Sequence, residues 1–415
     1  MSFTKADRKN CVAIREVLDS FCCMSGQKVS QDKSRVFFSP NVPPDARIEM
    51  CETLGFRSTP SLGKYLEFPI KHSALPQDFG YIAERVQGRL ARWKVNLLSF
   101  ARRLVLTQVV TTTIPNYAMQ CVALPTKILN SVDRLSHNFL WGSIESKKKI
   151  HLVNWKKIAK PKCDGGLGIQ AAKAKNIANL AKLNWRLQCE PSSLWAKVLS
   201  HKYRSPRRAF SSRPIIRTCS STWAAIRKRE AVYKKGSKWI VGKDSLLSFW
   251  HDKWLDKGSL RRLIEGPLNR GEEAITLKDM TGFSGWVWQG YSFSFPERLL
   301  SEIKATPITF SAMHFDRITW SSSPSRNFDM KEAYKLAILE FDKMYKGNFD
   351  GSWIWKVPTI PKIKCFLWQC HHHSILVQST LAAKGMQVIP LCHFCEVSAE
   401  TTVHVLRDCC VARNL

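Results

Sequence analysis

Acidic residues are scarce in this 415-residue sequence: 33 Asp and Glu stand against 64 Lys and Arg, a formal net charge of +31. So large a deficit of negative charge points to a polyanionic partner, most often nucleic acid. No apolar run reaches the 18 or so residues that a membrane-spanning helix needs, so no membrane partner is expected. The first residues, Met1 to Asp7, lack the apolar core of a secretory signal. The 20 glycines and 19 prolines are too few for wholesale disorder, and 44% apolar residues can build sizeable cores. No internal repeat is present. The length allows roughly two or three domains. Of the 14 cysteines, ten are scattered before residue 371, which predicts reduced thiols in an intracellular protein of nucleus or cytoplasm.

Residues 1–75 read as a small mixed unit. Val12, Ile14, Val17, Leu18 and Phe21 recur at helical spacing until Gly26 breaks the pattern. The β-branched and aromatic content of 35–38 and 64–68 predicts short strands. Residues 76–142 read as helical. Ile82, Val86, Leu90 and Trp93 form one stripe, and Arg85, Arg89 and Arg92 form another beside it. Further helices are expected over 97–112 and 127–140, bounded by Pro115 and Pro125. Basic helices of this kind could lie along a phosphate backbone or present an ordinary solvated face.

Positive charge is densest within 143–315. Between Lys202 and Lys238 there are twelve Lys and Arg, among them Arg204, Arg207, Arg208, Arg227, Lys228 and Arg229, against the single acid Glu230. Tyr203, Phe210, Trp223 and Tyr233 are interleaved with them, where they could stack on unpaired bases or fill a core. Lys147, Lys148 and Lys149, with Lys156, Lys157, Lys160 and Lys162, make a second basic cluster. Gly165-Gly166-Leu167-Gly168 lacks the frame of a phosphate-binding loop and is predicted to be a turn; no small-molecule substrate is expected. Asp252 and Asp256 lie beside Lys253 and Lys257 and suggest surface pairing. A flexible boundary is expected around 300–325, and a helix around 331–346.

The sharpest local signal is Cys392-His393-Phe394-Cys395 followed by His404 and Cys409, a C-x2-C-x8-H-x4-C spacing. The C-x2-C turn sets two thiolates on one side of a tetrahedron, and a downstream His and Cys can close it. Three thiolates and one imidazole suit a structural Zn2+; buried reduced thiols are the alternative. Cys410 competes with Cys409 and His393 with His404. His371-His372-His373 reads as a polar surface run, because three adjacent side chains cannot converge on one point from regular structure.

At this point the chain resembles a family. Asp316-Arg317-Ile318-Thr319-Trp320, Trp353-Ile354-Trp355-Lys356, Pro361 to Trp368 and the Cys/His cluster resemble the zinc-binding domain of plant non-LTR (LINE-type) retrotransposon reverse transcriptases. Gly26-Gln27-Lys28-Val29-Ser30 is similar to the segment after the polymerase active-site strand. Ile114 to Gln120, Phe139-Leu140-Trp141-Gly142 and Lys162 to Ile169 are similar to the thumb and the region after it, and Trp239 to Leu255 to the connector. The resemblance implies a mainly helical α+β fold in four parts. These are a palm remnant (1–75), a helical thumb (76–142), a basic connector (143–315) and a zinc-binding domain (316–415).

It also implies the family activity, RNA-directed DNA polymerisation, in which carboxylates of two palm motifs hold two Mg2+ ions. No Asp-Asp pair precedes Gly26, and Asp7 and Asp19 read as solvated single acids. The resemblance places the missing carboxylates, fingers and endonuclease upstream of Met1, and a ribonuclease H domain beyond Leu415. Without the Mg2+ site, Lys33 reads as a surface lysine rather than a general acid. Two departures are Glu67 in place of a family Gly and Arg102 in Ala101-Arg102-Arg103. The expectation is a truncated reverse transcriptase without catalytic residues of its own. It would bind RNA or an RNA–DNA hybrid through Arg85, Arg89, Arg92, Arg102, Arg103, Lys202 and the 204–229 cations, and one structural Zn2+ through Cys392, Cys395, His404 and Cys409. The competing expectations are a zinc-dependent protein-interaction module and a piece of an active polymerase.

Overall fold

The computed structural model describes residues 3–61, 63–65, 68, 69, 76–93, 95–144, 147–203, 219–242, 244–264, 266–282, 285–288, 294–306, 316–321, 323–340 and 349–414. The chain is mainly helical, with four two-stranded sheets among the described residues, an α+β fold as the sequence predicts. It divides into two compact units, Met1–Asp78 and Phe79–Leu415.

In the first unit, helix α1 (Arg8–Ser25) starts where Asp7 Oδ1 accepts the Asn10 N–H at 2.8 Å, and it ends at Gly26, whose φ of 69° suits glycine. Asp7 is therefore a helix cap, and Asp19 pairs with Arg15. Strand β1 (Arg35–Val36) runs parallel to β2 (Arg57–Ser58), and helix α2 (Pro44–Leu54) connects them. β3 (Lys64–Tyr65) and β4 (Phe68–Pro69) form a hairpin. The small core is Cys11, Met50 and Leu54, with Ile14, Val36 and Phe38 against it. Only part of the apolar stripe expected on α1 serves this core: Ile14 packs against it, while Val12, Val17 and Phe21 are exposed. α2 meets α1 on the side of Cys11 and Ile14.

The second unit begins with three longer helices, α3 (Gly80–Ala91), α4 (Phe100–Thr113) and, after the short α5 (Asn116–Cys121), α6 (Thr126–Trp141). Ile82, Val86 and Leu90 are buried as expected, but Trp93 lies beyond the end of α3 and is exposed. After a turn at α7 (Trp155–Ile158) comes α8 (Ala172–Cys189), the centre of the unit, with 11 of its 18 residues buried. Ala171, at its N-terminus, has no side chain to cap with. Asp133 of α6 supplies the acceptor for the Ala172 N–H at 2.9 Å. Asn176 donates to the Met119 and Val122 carbonyls and accepts the Leu124 N–H. Lys175 is buried, donates to the Thr112 carbonyl, and is pulled down to about 8 by desolvation.

Helices α9 (Leu194–Tyr203), α10 (Ser221–Lys228) and α11 (Glu230–Gly236) follow, and α11 runs into β5 (Ser237–Ile240). Phe249, Trp250, Trp254 and Leu255 then form a second core with α12 (Leu260–Leu263), the hairpin β6 (Thr281–Gly282) and β7 (Gly285–Trp286), and α13 (Glu297–Ala305). Asp252 accepts the Ser248 N–H, and Asp256 pairs with Lys238 at 2.6 Å on the surface.

Where a flexible boundary is expected, Arg317–Trp320 forms β8, antiparallel to β5, with Trp320 fully buried. β8 is held because Gly236 leaves room for the Trp320 indole; a Cβ there would come within 2.2 Å of the ring. α14 (Met330–Leu339) follows, capped by Glu340, and 341–346 of the expected helix lie outside the described residues. α14 lays Ala333, Tyr334 and Ala337 against Ala174, Ile177 and Ala181 of α8. The Tyr334 hydroxyl accepts the Ala171 N–H and donates to the Ala159 carbonyl. α15 (Pro361–His371), α16 (Gln378–Ala383) and α17 (Cys410–Arg413) complete the chain.

The glycine-rich segment 165–168 is a turn, and it receives α15. Trp368 Nε1 donates to the Gly165 carbonyl at 2.8 Å, and His372 Nε2 lies 2.9 Å from the same oxygen. His372 also stacks on Phe349 and is half-buried, so the three histidines are not a uniform surface run. His371 faces Asp350 at 3.3 Å, and His373 is exposed.

Candidate metal centre

The C-terminal cysteines are gathered by a short hairpin and a turn. Leu391 bridges Ala399, and Cys392 N donates to the Ser398 carbonyl at 2.8 Å. Between them Glu396 adopts a φ of 54°, which folds the chain back after Cys395. The Val397 and Ser398 N–H groups then point at the Cys395 sulfur and, with His404, hold its thiol down to about 6. His404 opens a π-turn (His404–Asp408), fixed by its N–H to Thr401 Oγ1 at 3.1 Å. Cys409 closes that turn, donating its N–H to the His404 carbonyl at 2.7 Å in extended conformation.

The result is a compact donor set. The ligand atoms of Cys392, Cys395, His404 and Cys409 all lie within 4.8 Å of one another. Cys392 Sγ is 3.9 Å from Cys409 Sγ, and Cys395 Sγ is 3.3 Å from His404 Nε2. Tetrahedral zinc with Zn–S near 2.3 Å and Zn–N near 2.0 Å requires edges of about 3.8 Å and 3.6 Å. The residues fit that ion, and their four donors fill a closed, structural shell with no position left for a substrate. Cys410 is exposed and stands outside the group. So does His393, whose N–H points to Glu400.

The cations read from the sequence are placed more widely. Arg85, Arg89 and Arg92 are exposed on or just after α3, and Arg102 is exposed on the neighbouring α4. Arg103 is half-buried over Gly142, the left-handed residue that ends α6, and its Nε has no hydrogen-bond partner among the described residues. Lys202, Arg227 and Lys228 are exposed at the C-terminal ends of α9 and α10, whereas Arg229 is half-buried. Arg204, Arg207, Arg208 and Phe210 lie outside the described residues. The other interleaved aromatics, Tyr203, Trp223 and Tyr233, are engaged in packing. Tyr203 stacks on Trp223 with ring centroids 5.0 Å apart, and Tyr233 is buried against α8.

Sequence reasoning did not single out α8 or the Gly165 turn as organisers. The signal lay in Asn176, Asn179 and Asn184, spaced along the inward face of α8 among Ala and Leu residues.

Comparison with known proteins bears on the same region. Residues 328–415 match the family of zinc-binding domains in reverse transcriptase. The chain is 34% identical over 348 residues to "Putative ribonuclease H protein At1g65750" of Arabidopsis thaliana; the match covers 82% of this chain and 56% of that protein. It is also 29% identical over 143 residues to "Uncharacterized mitochondrial protein AtMg00310" of the same plant, covering 34% of this chain and 92% of that protein. The chain thus spans little more than half the length of the first relative. These matches and the Cys3His geometry give the chain a zinc-binding region of the kind found in reverse transcriptases, and they support a relationship to retroelement proteins. That region is not self-contained, because α14 is built into the α8 core and α15 into the Gly165 turn. No helix among the described residues is long and apolar enough to cross a membrane.

Proposed function

We propose that this chain is the nucleic-acid-holding, downstream part of a LINE-type reverse transcriptase, with one structural Zn2+ at Cys392, Cys395, His404 and Cys409. Its ligand is RNA or an RNA–DNA hybrid. The observation that carries the reading is the Cys3His cluster inside the matched zinc-binding region of a chain with a net charge of +31. Arg85, Arg89, Arg92 and Arg102 on α3 and α4, with Lys202, Arg227 and Lys228, supply the phosphate contacts. The similarity to a protein named for ribonuclease H supports a hybrid as the ligand. No catalytic role is assigned to these residues: the sequence holds no Asp-Asp pair, and polymerase chemistry needs paired carboxylates for Mg2+.

The test is a salt titration of a labelled RNA–DNA hybrid against the full chain. Displacing counterions from six to ten phosphates predicts a loss of about 10³- to 10⁵-fold in affinity between 50 and 200 mM salt. The triple variant Arg85→Gln/Arg89→Gln/Arg92→Gln should flatten the slope by up to about three. Salt-independent affinity, or no preference for hybrid over heparin, overturns the reading. Primer extension by the purified chain with Mg2+ would overturn the non-catalytic assignment.

A further inference from the structure

Tyr203 and Trp223 of the basic belt stack on each other and Tyr233 lies in the core, so unpaired bases need another platform. One stands on the far side of α15. The helix has two apolar faces. Cys365 and Trp368 point inward, while Ile363 and Phe366 are 44% and 42% exposed on the opposite side, with Lys362 exposed beside them. Just before α15, the 3-10 turn Asp350–Trp355 holds Ile354 fully buried and leaves Trp353 52% exposed. An outward Trp, Phe and Ile are costly surface residues unless something covers them.

The charge around them says what. From Gly351 to Cys395 the sequence contains no acid, and Lys356, Lys362, Lys364 and Lys384 fall within that stretch. Asp350, the last acid before it, faces His371. The backing is rigid: Trp368 is bonded to Gly165, Lys364 Nζ donates to the Trp355 carbonyl, and Lys162 sits over the Trp355 ring. Exposed aromatic faces on this backing, beside lysines and with Asp350 at the start of the turn engaged by His371, match an unpaired polynucleotide: bases stack and phosphates meet the cations. A neutral apolar protein partner has no use for that charge.

We propose that Trp353 and the outer face of α15, with Phe366, Ile363 and Lys362, form a stacking platform for unpaired bases of single-stranded RNA. The proposal rests on the nucleic-acid reading above and adds a site, distinct from the thumb arginines, that distinguishes unpaired from paired strands.

The full chain is irradiated with a short RNA carrying 5-iodouridine, and the crosslinked peptides are mapped. Crosslinks within 353–366 are expected; crosslinks that avoid this segment overturn the site. In parallel, Trp353→Ala/Phe366→Ala should bind the single strand about tenfold or more weaker while binding a blunt RNA duplex within twofold of the parent. Trp353→Phe should restore most of the loss. Retained single-strand affinity in the double variant, or an equal loss on the duplex, refutes stacking. A dimer in sedimentation that Ile363→Asp dissociates would assign the face to a second copy instead. A parent chain that binds no hybrid sinks the proposed function; a parent that binds hybrid but fails these tests sinks only the platform.

Discussion

Around α8, 11 of 18 residues are buried, whereas between Met386 and Asn414 the buried residues are Cys392, Thr402 and Cys409. In the latter stretch Ile389, Phe394, Val397 and Leu406 are all more than half exposed. The helical body is held by burial: Trp250, Trp254, Trp320 and Trp368 are each no more than 1% exposed. The C-terminal stretch has no comparable apolar interior, so its compactness is expected to depend on the four donors closing around one Zn2+. The two also differ in charge. From Ser374 onward Lys384, Arg407 and Arg413 balance Glu396, Glu400 and Asp408, so the whole excess of +31 resides upstream. The metal region and the cationic surface are therefore separate parts of the molecule.

The largest effect expected from this contrast is on metal removal. Structural zinc contributes about 10–16 kcal/mol of apparent binding free energy, nearly all of it folding energy where no core exists. Metal analysis should give one Zn2+ per chain. After chelation, or in Cys392→Ser/Cys395→Ser, amide exchange should become fast throughout 386–414 and stay slow in α8 and α14. Unchanged protection of 386–414 in the double variant would show that apolar contacts, not zinc, hold the region.

A smaller effect is expected from within the body. Asn176→Ala strands two carbonyls and one N–H that its amide now satisfies, all buried between α8 and the 119–124 segment. Unsatisfied buried groups predict a loss of about 2–4 kcal/mol in denaturant unfolding. Zinc content should stay at one per chain. If the variant lost zinc as well, the two regions would be one cooperative unit and the contrast would fail.

Legibility in the sequence followed the same division. The four ligands are spaced by turns of fixed length, so C-x2-C-x8-H-x4-C points to them without knowledge of the remaining fold. What spacing could not decide was Cys409 against Cys410 and His404 against His393; His393 stands outside the donor group, with its N–H on Glu400. The choice of cysteine is made by the extended backbone at Cys409 after the π-turn, which turns one thiol inward and the next outward. Helices α3, α4 and α6 were readable from their 3.6-residue periodicity and flanking prolines. α8 was not, because its polar residues face inward to carbonyls of distant segments, against the usual rule. The packing of β8 on β5 was hidden for a related reason: four-residue strands paired across 81 positions, Lys238 with Thr319, leave no local signal. Val17 and Phe21 mislead in the opposite sense, since a helical apolar stripe says nothing of whether a partner covers it.

The smallest effect concerns the charge that the body does bury. Asp133 is pushed up to about 7 by burial, against an ordinary value of 3.8, even though the Ala172 N–H it caps works in the other direction. Between these two values the unfolded chain is ionised at this position and the folded chain is not. The folded state then binds more protons, and stability falls as pH rises through that window, levelling off above about 7. Across pH 6 to 8 the group should cost about 1 kcal/mol. Asp133→Asn keeps an oxygen for the Ala172 N–H and removes the titration, so its unfolding free energy should vary less with pH over that range than the parent's. Parallel pH profiles for the two proteins would mean that Asp133 is ionised in the fold, and that α8 begins on a carboxylate rather than on a neutral acid.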